Sequence, residues 1–373
     1  MLFKGSEKFS QKDIADISDR LGGRMNAFTS REITQFYIKS IDEKFSESFD
    51  LLTDIVFNSN FDKDEFLKEK DVVEQEIRES DDNPDSKAFE LFYKEYFGDK
   101  SAGFPIAGTL KSVSGLKREF VYENYKKLYT PSNIILSYAG DIDHEKILTL
   151  AQDKFSHFPN SNANEINSTK QSFNRGVIIR SNKSLQQVYS VIGFKSIPVT
   201  SPDRYKYMIL NDIMGSGMSS RLFQKIREEK GLAYSISSFI DSYKEFGIHM
   251  IYAVTDPEKT DAYLNAVDHE LRLLKEKGIS ISELNKSKDH IKTSIILSLE
   301  SNLSKMRLNI NGDIYFGYQR SLQEIIDEIN AVTSDDVNSI LENYPDYSGT
   351  MILLYGDISK KYLSDTVFLN SDI

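Results

Sequence analysis

Apolar residues recur at helical spacing over much of the chain. Phe49, Leu52, Ile55 and Val56 fall on one face of a helix, and Tyr263, Ala266, Leu271 and Leu274 repeat that arrangement far downstream. Other apolar runs read as strands. Residues 176–180 and 188–194, separated by the polar turn Ser181-Asn182-Lys183, predict a strand pair. Ser201-Pro202 supplies an N-cap and a first-turn proline for a helix running towards Gly215. Ser219 or Ser220 caps a further helix over 221–230, Gly231 ends it, and Tyr234 opens a strand. Strands and helices without regular β-α-β alternation predict an α+β fold, with antiparallel-rich sheets packed against helices.

The pattern occurs twice. Asn133 leads into Ile134-Ile135-Leu136-Ser137-Tyr138-Ala139, a predicted buried strand, and then Gly140-Asp141-Ile142. Thr350 leads into Met351-Ile352-Leu353-Leu354-Tyr355 and then Gly356-Asp357-Ile358, an offset of 216 at the glycine. Glu43-Lys44 recurs as Glu258-Lys259 at an offset of 215, and Glu65, Lys70 and Asp71 match Glu283, Lys288 and Asp289 at 218. Three matches at nearly one offset indicate two homologous domains. The Asn/Ser-rich stretch between them reads as a linker. The expected division is an N-terminal domain over 1–157, a linker over 158–175 and a C-terminal domain over 176–373. The halves differ at their start. From Gly176 to Gly215 there are 39 positions, whereas from Met1 to the glycine cluster ending at Gly23 there are 22. The shortfall of 17 matches the strand pair, so the front half is expected to lack its first strands.

Composition narrows the chemistry. A chain of 373 residues with 39% hydrophobic positions, 23 Phe and 20 Tyr builds real cores, and its length suits two domains. A net charge of −11 repels phosphate backbones, which argues against a nucleic-acid partner. The absence of cysteine excludes disulfides, thiolate metal sites and cysteine nucleophiles. No apolar stretch approaches the roughly 18 residues of a membrane span. The N-terminal residues carry no signal pattern, so the expected compartment is the cytoplasm.

Three blocks of residues carry a family resemblance. They are Met1-Leu2-Phe3-Lys4-Gly5 followed by Leu21-Gly22-Gly23-Arg24-Met25-Asn26-Ala27-Phe28-Thr29-Ser30-Arg31-Glu32; Glu69-Lys70-Asp71-Val72-Val73-Glu74-Gln75-Glu76-Ile77; and Gly217-Met218-Ser219-Ser220-Arg221 through Glu229-Lys230-Gly231-Leu232-Ala233-Tyr234-Ser235. Together they resemble the insulinase/pitrilysin family of zinc peptidases, the inverzincins, and are similar to bacterial relatives of mitochondrial processing peptidase. The resemblance runs essentially end to end. It implies two homologous halves of the processing-peptidase type, with peptide hydrolysed in a cleft between them.

The resemblance also implies roles. The family holds zinc with H-x-x-E-H on a helix plus a distant Glu, which leaves the fourth position to water. In relatives that motif directly precedes the Met-Leu-Phe-Lys-Gly run, which here begins at Met1. Both histidine ligands and the catalytic glutamate are therefore absent from this sequence. Glu76 matches the third metal ligand, and Glu69, seven residues earlier on the same helical face, matches a supporting carboxylate. Spacing alone would favour a solvated acidic face, since Glu74 and Glu79 lie nearby, and it is the flanking family pattern that reverses this. The second copy carries Ser294 at the position of Glu76, in keeping with one metal-free half. Arg227 and Tyr234 match the family pair that binds substrate and stabilises the tetrahedral intermediate. Asn26, Ala27 and Phe28 match an edge strand that pairs with extended peptide, although an ordinary buried strand reads alike. Residues 104–109 match a loop taken as structural. None of His144, His157, His249, His269 and His290 forms an i,i+4 pair, and none is assigned a metal role.

Two functions follow from the resemblance. One is a zinc-dependent metalloendopeptidase, for which zinc is the expected cofactor of a complete protein but not of these 373 residues. The other is a non-catalytic partner subunit that supplies the Arg/Tyr pair. Either implies a peptide substrate and a homodimer, or a heterodimer with a related subunit.

Overall fold

The computed structural model describes residues 1–22, 24–156, 158 and 171–358. Gly23, most of the Asn/Ser-rich stretch with His157, and residues 359–373 lie outside the described residues. In chain order the elements are α1 (Gln11–Arg20), β1 (Arg24–Thr29), β2 (Thr34–Lys39), α2 (Phe45–Phe57), α3 (Lys63–Asp82), α4 (Pro84–Phe97), α5 (Leu110–Ser114), α6 (Arg118–Leu128) and α7 (His144–Phe155). Then come β3 (Gly176–Ser181), β4 (Val188–Ser196), α8 (Arg204–Gly215), β5 (Ser235–Ser242), β6 (Gly247–Thr255), α9 (Thr260–Lys277) and α10 (Ile281–Ser298). The last are α11 (Asn302–Asn311), α12 (Leu322–Ala331), α13 (Ser334–Leu341) and β7 (Met351–Gly356). This is the α+β fold expected, with antiparallel-rich pairing.

The chain forms two compact units. Unit 1 comprises Met1–Ser80, Pro105–Ser168 and Ser301–Ile310; unit 2 comprises Asp81–Phe104, Thr169–Glu300 and Asn311–Ile373. These are units of packing. The division into homologous domains at 157 and 176 rests on the sequence offset and stands as a proposal.

Unit 2 is built on a five-stranded sheet of order β3-β7-β4-β6-β5, in which only β3 and β7 run parallel. Both faces of β4 and β6 are buried. On one face Val191, Ile248, Met250, Met351 and Leu353 pack against Ala88, Phe92, Tyr93, Tyr96 and Phe97 of α4. Ile192, Ile251 and Ile352 alternate to the opposite face and are also fully buried. Asn83 starts α4: its side chain accepts the Ser86 N–H at 3.0 Å and Pro84 occupies the first turn.

Among the described residues, unit 1 holds one hairpin. β1 and β2 pair antiparallel from Arg24↔Lys39 to Thr29↔Thr34 and belong to no larger sheet among the described residues. Its core gathers Ile14, Ile17, Leu51, Ile55, Phe57, Phe61 and Tyr125, with Met25, Phe36 and Ile38 of the hairpin packed against it.

Two sequence expectations change. Residues 134–139 were expected to form a buried strand, yet they form none, and Ile135 and Leu136 are 43% and 39% exposed. The counterpart β7 is a strand because β3 and β4 flank it. Unit 1 offers 134–139 no such neighbours among the described residues. The second change is the repeat register. Gly22 and Gly231 share the left-handed backbone, at φ 60° and 59°, and each closes a helical segment just before a hairpin. The front glycine cluster thus corresponds to Gly231, not Gly215. Among the described residues, unit 1 shows no counterpart of β3, β4 and α8.

Candidate functional site

In unit 1 the residues singled out on sequence converge on α3 and the hairpin. The entry to α3 is tightly held. The Asp62 carboxylate accepts the N–H groups of Asp64 and Glu65 at 2.9 and 3.0 Å, and these bonds hold its carboxyl below the usual range. Just before it, Phe61 is buried with φ 49°, a strained conformation for a bulky residue. Arg118 donates to the carbonyls of Phe61 and, at 3.2 Å, Asn60, and so braces that turn. Further along, Lys70 donates to the carbonyl of Ser114 at 2.5 Å and caps the C-terminus of α5.

Glu69 is half-buried. Its carboxylate lies 3.1 Å from Lys4 Nζ and 3.6 Å from the Met1 amine. Glu76 is exposed and has no hydrogen bond or ion pair among the described residues. Asn26, Ala27 and Phe28 lie in β1, whose outer edge carries no partner strand among the described residues. The Asn26 side chain turns back to accept the Ala27 N–H at 2.8 Å, and Arg307 lies over the exposed Phe28 ring, 5.7 Å from its centroid.

In unit 2 the segment before β5 differs from the regular helix expected. Phe223–Glu229 is π-helical, a form that inserts an extra residue per turn and recurs at functional sites. Ser220 does not cap it; its hydroxyl donates to the carbonyl of Gly217 at 2.5 Å. Gly231 then reverses the chain, locked by Leu232 N–H to Ile226 O at 2.9 Å and by Thr255 Oγ1 to Leu232 O at 2.6 Å. Tyr234 follows and donates its N–H to Val254 O at 2.8 Å, which ties it to β6. Its side chain is 75% exposed, and its hydroxyl has no hydrogen bond among the described residues. The Arg227 guanidinium stacks on Phe223, 4.6 Å from the ring centroid, and is 3.8 Å from the Glu228 carboxylate. A backbone fixed on both sides of a glycine turn thus presents two exposed hydrogen-bond donors.

One supporting pair was missed on sequence. Arg221 grips Glu283 through two bonds of 2.6 and 2.9 Å and donates to Gly278 O at 2.9 Å. Burial pushes the Glu283 carboxyl up, but Arg221 and the Ser280 cap outweigh it and hold it at about 2. The signal was the Ser280-x-x-Glu283 capping box that opens α10.

The donor set can be tested for zinc. A zinc site needs at least three protein ligands. Among the described residues, no group of three or more His, Asp or Glu side chains is placed to hold a metal ion. Glu76 stands without a histidine pair. His249 is fully buried and hydrogen-bonded to Asn211 and Tyr344, His290 pairs with Asp212 at 2.7 Å, and His144 and His269 are exposed on α7 and α9. The residues present do not fit zinc. Among the described residues, no helix is long and apolar enough to cross a membrane.

Comparison with known proteins places the chain. Residues 1–110 match the family model described as insulinase, peptidase family M16, and residues 115–291 match the peptidase M16 inactive domain. An uncharacterized zinc protease, YmxG of Bacillus subtilis, is 37% identical over 91% of this chain and 82% of its own length. A protease from Helicobacter pylori shares the fold at a TM-score of 0.87, with 20% identity over 95% of this chain and 86% of that one. A peptidase M16 inactive domain from Pseudomonas fluorescens does so at 0.88, with 19% identity over the same shares. The matched models and the relative's identity over most of both chains establish that this chain belongs to the insulinase family, peptidase family M16.

Proposed function

We propose that this polypeptide is the peptide-holding part of an M16 metalloendopeptidase, and that the 373 residues do not themselves hold the hydrolytic metal. The observation that carries the reading is the exposed pair Arg227 and Tyr234 on a locked glycine turn. A guanidinium and a phenol can each donate to a peptide carbonyl, and neither is committed to another acceptor within hydrogen-bond distance among the described residues. In unit 1, the edge of β1 that carries no partner strand among the described residues is a separate surface suited to peptide. Its backbone groups at residues 26–28 can pair with an extended chain independently of that chain's side chains. The family name of the relatives supports peptide as the ligand. Glu76 would contribute one carboxylate to a metal site, with Glu69 beside it, but no step is assigned to a metal here.

The same donor set favours a second reading, in which the chain assists a related subunit or a second copy by supplying Arg227 and Tyr234. Both readings share peptide binding, and that is the part to test. A labelled unstructured peptide titrated with the protein should bind without being cut. Tyr234→Phe and Arg227→Ala should each weaken binding about tenfold, the loss of one good hydrogen bond to a charged or polar partner. Unchanged affinity in both variants would remove the pair from the site. Turnover of the peptide by the 373-residue chain would overturn the claim that hydrolysis lies elsewhere.

A further inference from the structure

We infer that Arg221 and Glu283 are positioning residues. Their clamp sets the register of the π-helical segment Phe223–Glu229 and so aims Arg227 and Tyr234, a role in binding that rests on the peptide-holding function proposed above.

A π turn holds one residue more than an α turn, and it is a rare form that appears mostly as a single turn. If residues 223–229 relaxed to α geometry, a one-residue change of register would swing the following side chains by about 100° around the helix axis. Arg227 sits near the end of this segment, so its aim depends on what fixes the segment's two ends. Leu222 and Ile226 are buried and hold the inner face to the core. Apolar burial is non-directional, however, and does not choose a register; hydrogen bonds do.

The far end is fixed at the glycine turn. Gly231 N–H donates to Arg227 O at 3.1 Å and Leu232 N–H to Ile226 O at 2.9 Å. Lys259, 3.2 Å from the Asp256 carboxylate, donates to Gly231 O at 3.2 Å. At the near end, Ser220 N–H closes a local turn on Gly217 O at 3.0 Å. Arg221 ties that end to another part of unit 2. Its Nε and one terminal nitrogen take the two Glu283 oxygens, and the same terminal nitrogen donates to Gly278 O. The junction of α9 and α10 that it grips is itself rigid. Gly278 has φ 67°, and a Cβ there would meet Asn338 Oδ1 at 2.5 Å. Asn338 Oδ1 accepts the Ile279 N–H at 2.9 Å, and Glu283 accepts the Ser280 N–H at 2.8 Å. A planar guanidinium held at three points on a fixed loop cannot slip by a residue.

Amide exchange and peptide titration together test the clamp in the 373-residue chain without denaturant. Glu283→Gln removes the charge but keeps an oxygen for the Ser280 cap, and Arg221→Gln removes the fork. Each should speed exchange of the Gly231 and Leu232 amides by about tenfold, although neither residue touches them. Arg272→Gln breaks a different ion pair of unit 2, with Asp268 at 2.6 Å, and should leave those two amides unchanged. Arg221→Gln should also weaken the labelled peptide about tenfold, as Arg227→Ala does. In protein already carrying Arg227→Ala and Tyr234→Phe, it should change affinity by less than about twofold, because the groups it aims are gone. A purely structural ion pair would show no such coupling. Unchanged exchange at Gly231 and Leu232 in both clamp variants would overturn the inference, as would equal loosening by Arg272→Gln. Wild-type affinity in Arg221→Gln, where Arg227→Ala binds weakly, would also overturn it while leaving the peptide-holding function intact. If Arg227→Ala and Tyr234→Phe bind as wild type does, the peptide-holding function fails and takes the binding role with it, and exchange alone decides whether the clamp sets the turn.

Discussion

Gly193→Val unfolds unit 2 or lowers its stability by about 3 kcal/mol or more, at or beyond the upper end of measured overpacking costs. Gly193 lies in β4, paired to Met250 on one side and Met351 on the other. A Cβ there would come within 2.1 Å of Phe92 Cζ. Phe92 has no room to yield. It is fully buried, stacked on Tyr96 at 5.1 Å and edge-on to Tyr93 at 6.1 Å. The glycine is required because α4 lies directly on the strand, not because of its backbone angle. Urea unfolding monitored by tyrosine fluorescence reads the loss. Combining Gly193→Ala with Phe92→Leu should cost less than the two single changes summed, since the second removes the atoms the first collides with. A Gly193→Val protein with the wild-type midpoint would show that α4 does not sit on this sheet.

Acidification from pH 6.5 to 4 should cost unit 2 about 3 kcal/mol through His249 alone, at 1.36 kcal/mol per unit of pKa difference. His249 is fully buried in β6. Asn211 Oδ1, 3.1 Å from Nε2, can only accept, so Nε2 carries the hydrogen. Nδ1 then accepts the Tyr344 hydroxyl at 2.8 Å, and Ser238 donates to Asn211 Oδ1 at 2.8 Å. The ring is neutral, and burial pushes its pKa down to about 3. In the unfolded chain it titrates near 6.5, so between the two values the unfolded state binds the extra proton. The stability is fully present above the unfolded value and is lost as the pH falls towards the folded one. Glu283, held at about 2, adds its own loss only once the pH falls into the ordinary carboxylate range. The pH window from 6.5 down to about 4.5 therefore belongs to His249 among these two groups. His249→Gln should flatten the dependence of the urea midpoint on pH in that window. An equally steep dependence in the variant would place the titrating group elsewhere.

The sequence revealed local features and concealed non-local ones. Gly-Asp-Ile after an apolar run, Glu-Lys before a helix and the Glu65, Lys70 and Asp71 match to Glu283, Lys288 and Asp289 are local signals, and the duplication was legible from them. Whether an apolar run becomes a strand depends on partners elsewhere in the chain. Residues 134–139 and 351–356 look alike in sequence, yet only the latter sit between two strands. The same holds for α4. Nothing local says that a helix ahead of residue 110 packs on a sheet formed after residue 176. Glycine clusters are likewise ambiguous by composition, and only the shared positive φ of Gly22 and Gly231 fixed the register. For the site, chemistry gave residue types and the resemblance gave roles. The exposure of Tyr234, the π-helical turn under Arg227 and the Arg221–Glu283 clamp became visible only in three dimensions.

Zinc stoichiometry decides whether these residues hold the family's metal. The purified 373-residue chain is dialysed against micromolar free zinc and its metal content measured. One carboxylate without a histidine pair should retain less than about one-tenth of an equivalent, and Glu76→Gln should change nothing measurable. One full equivalent, lost in Glu76→Gln, would show that a complete site exists here and that the division between peptide holding and metal binding is wrong.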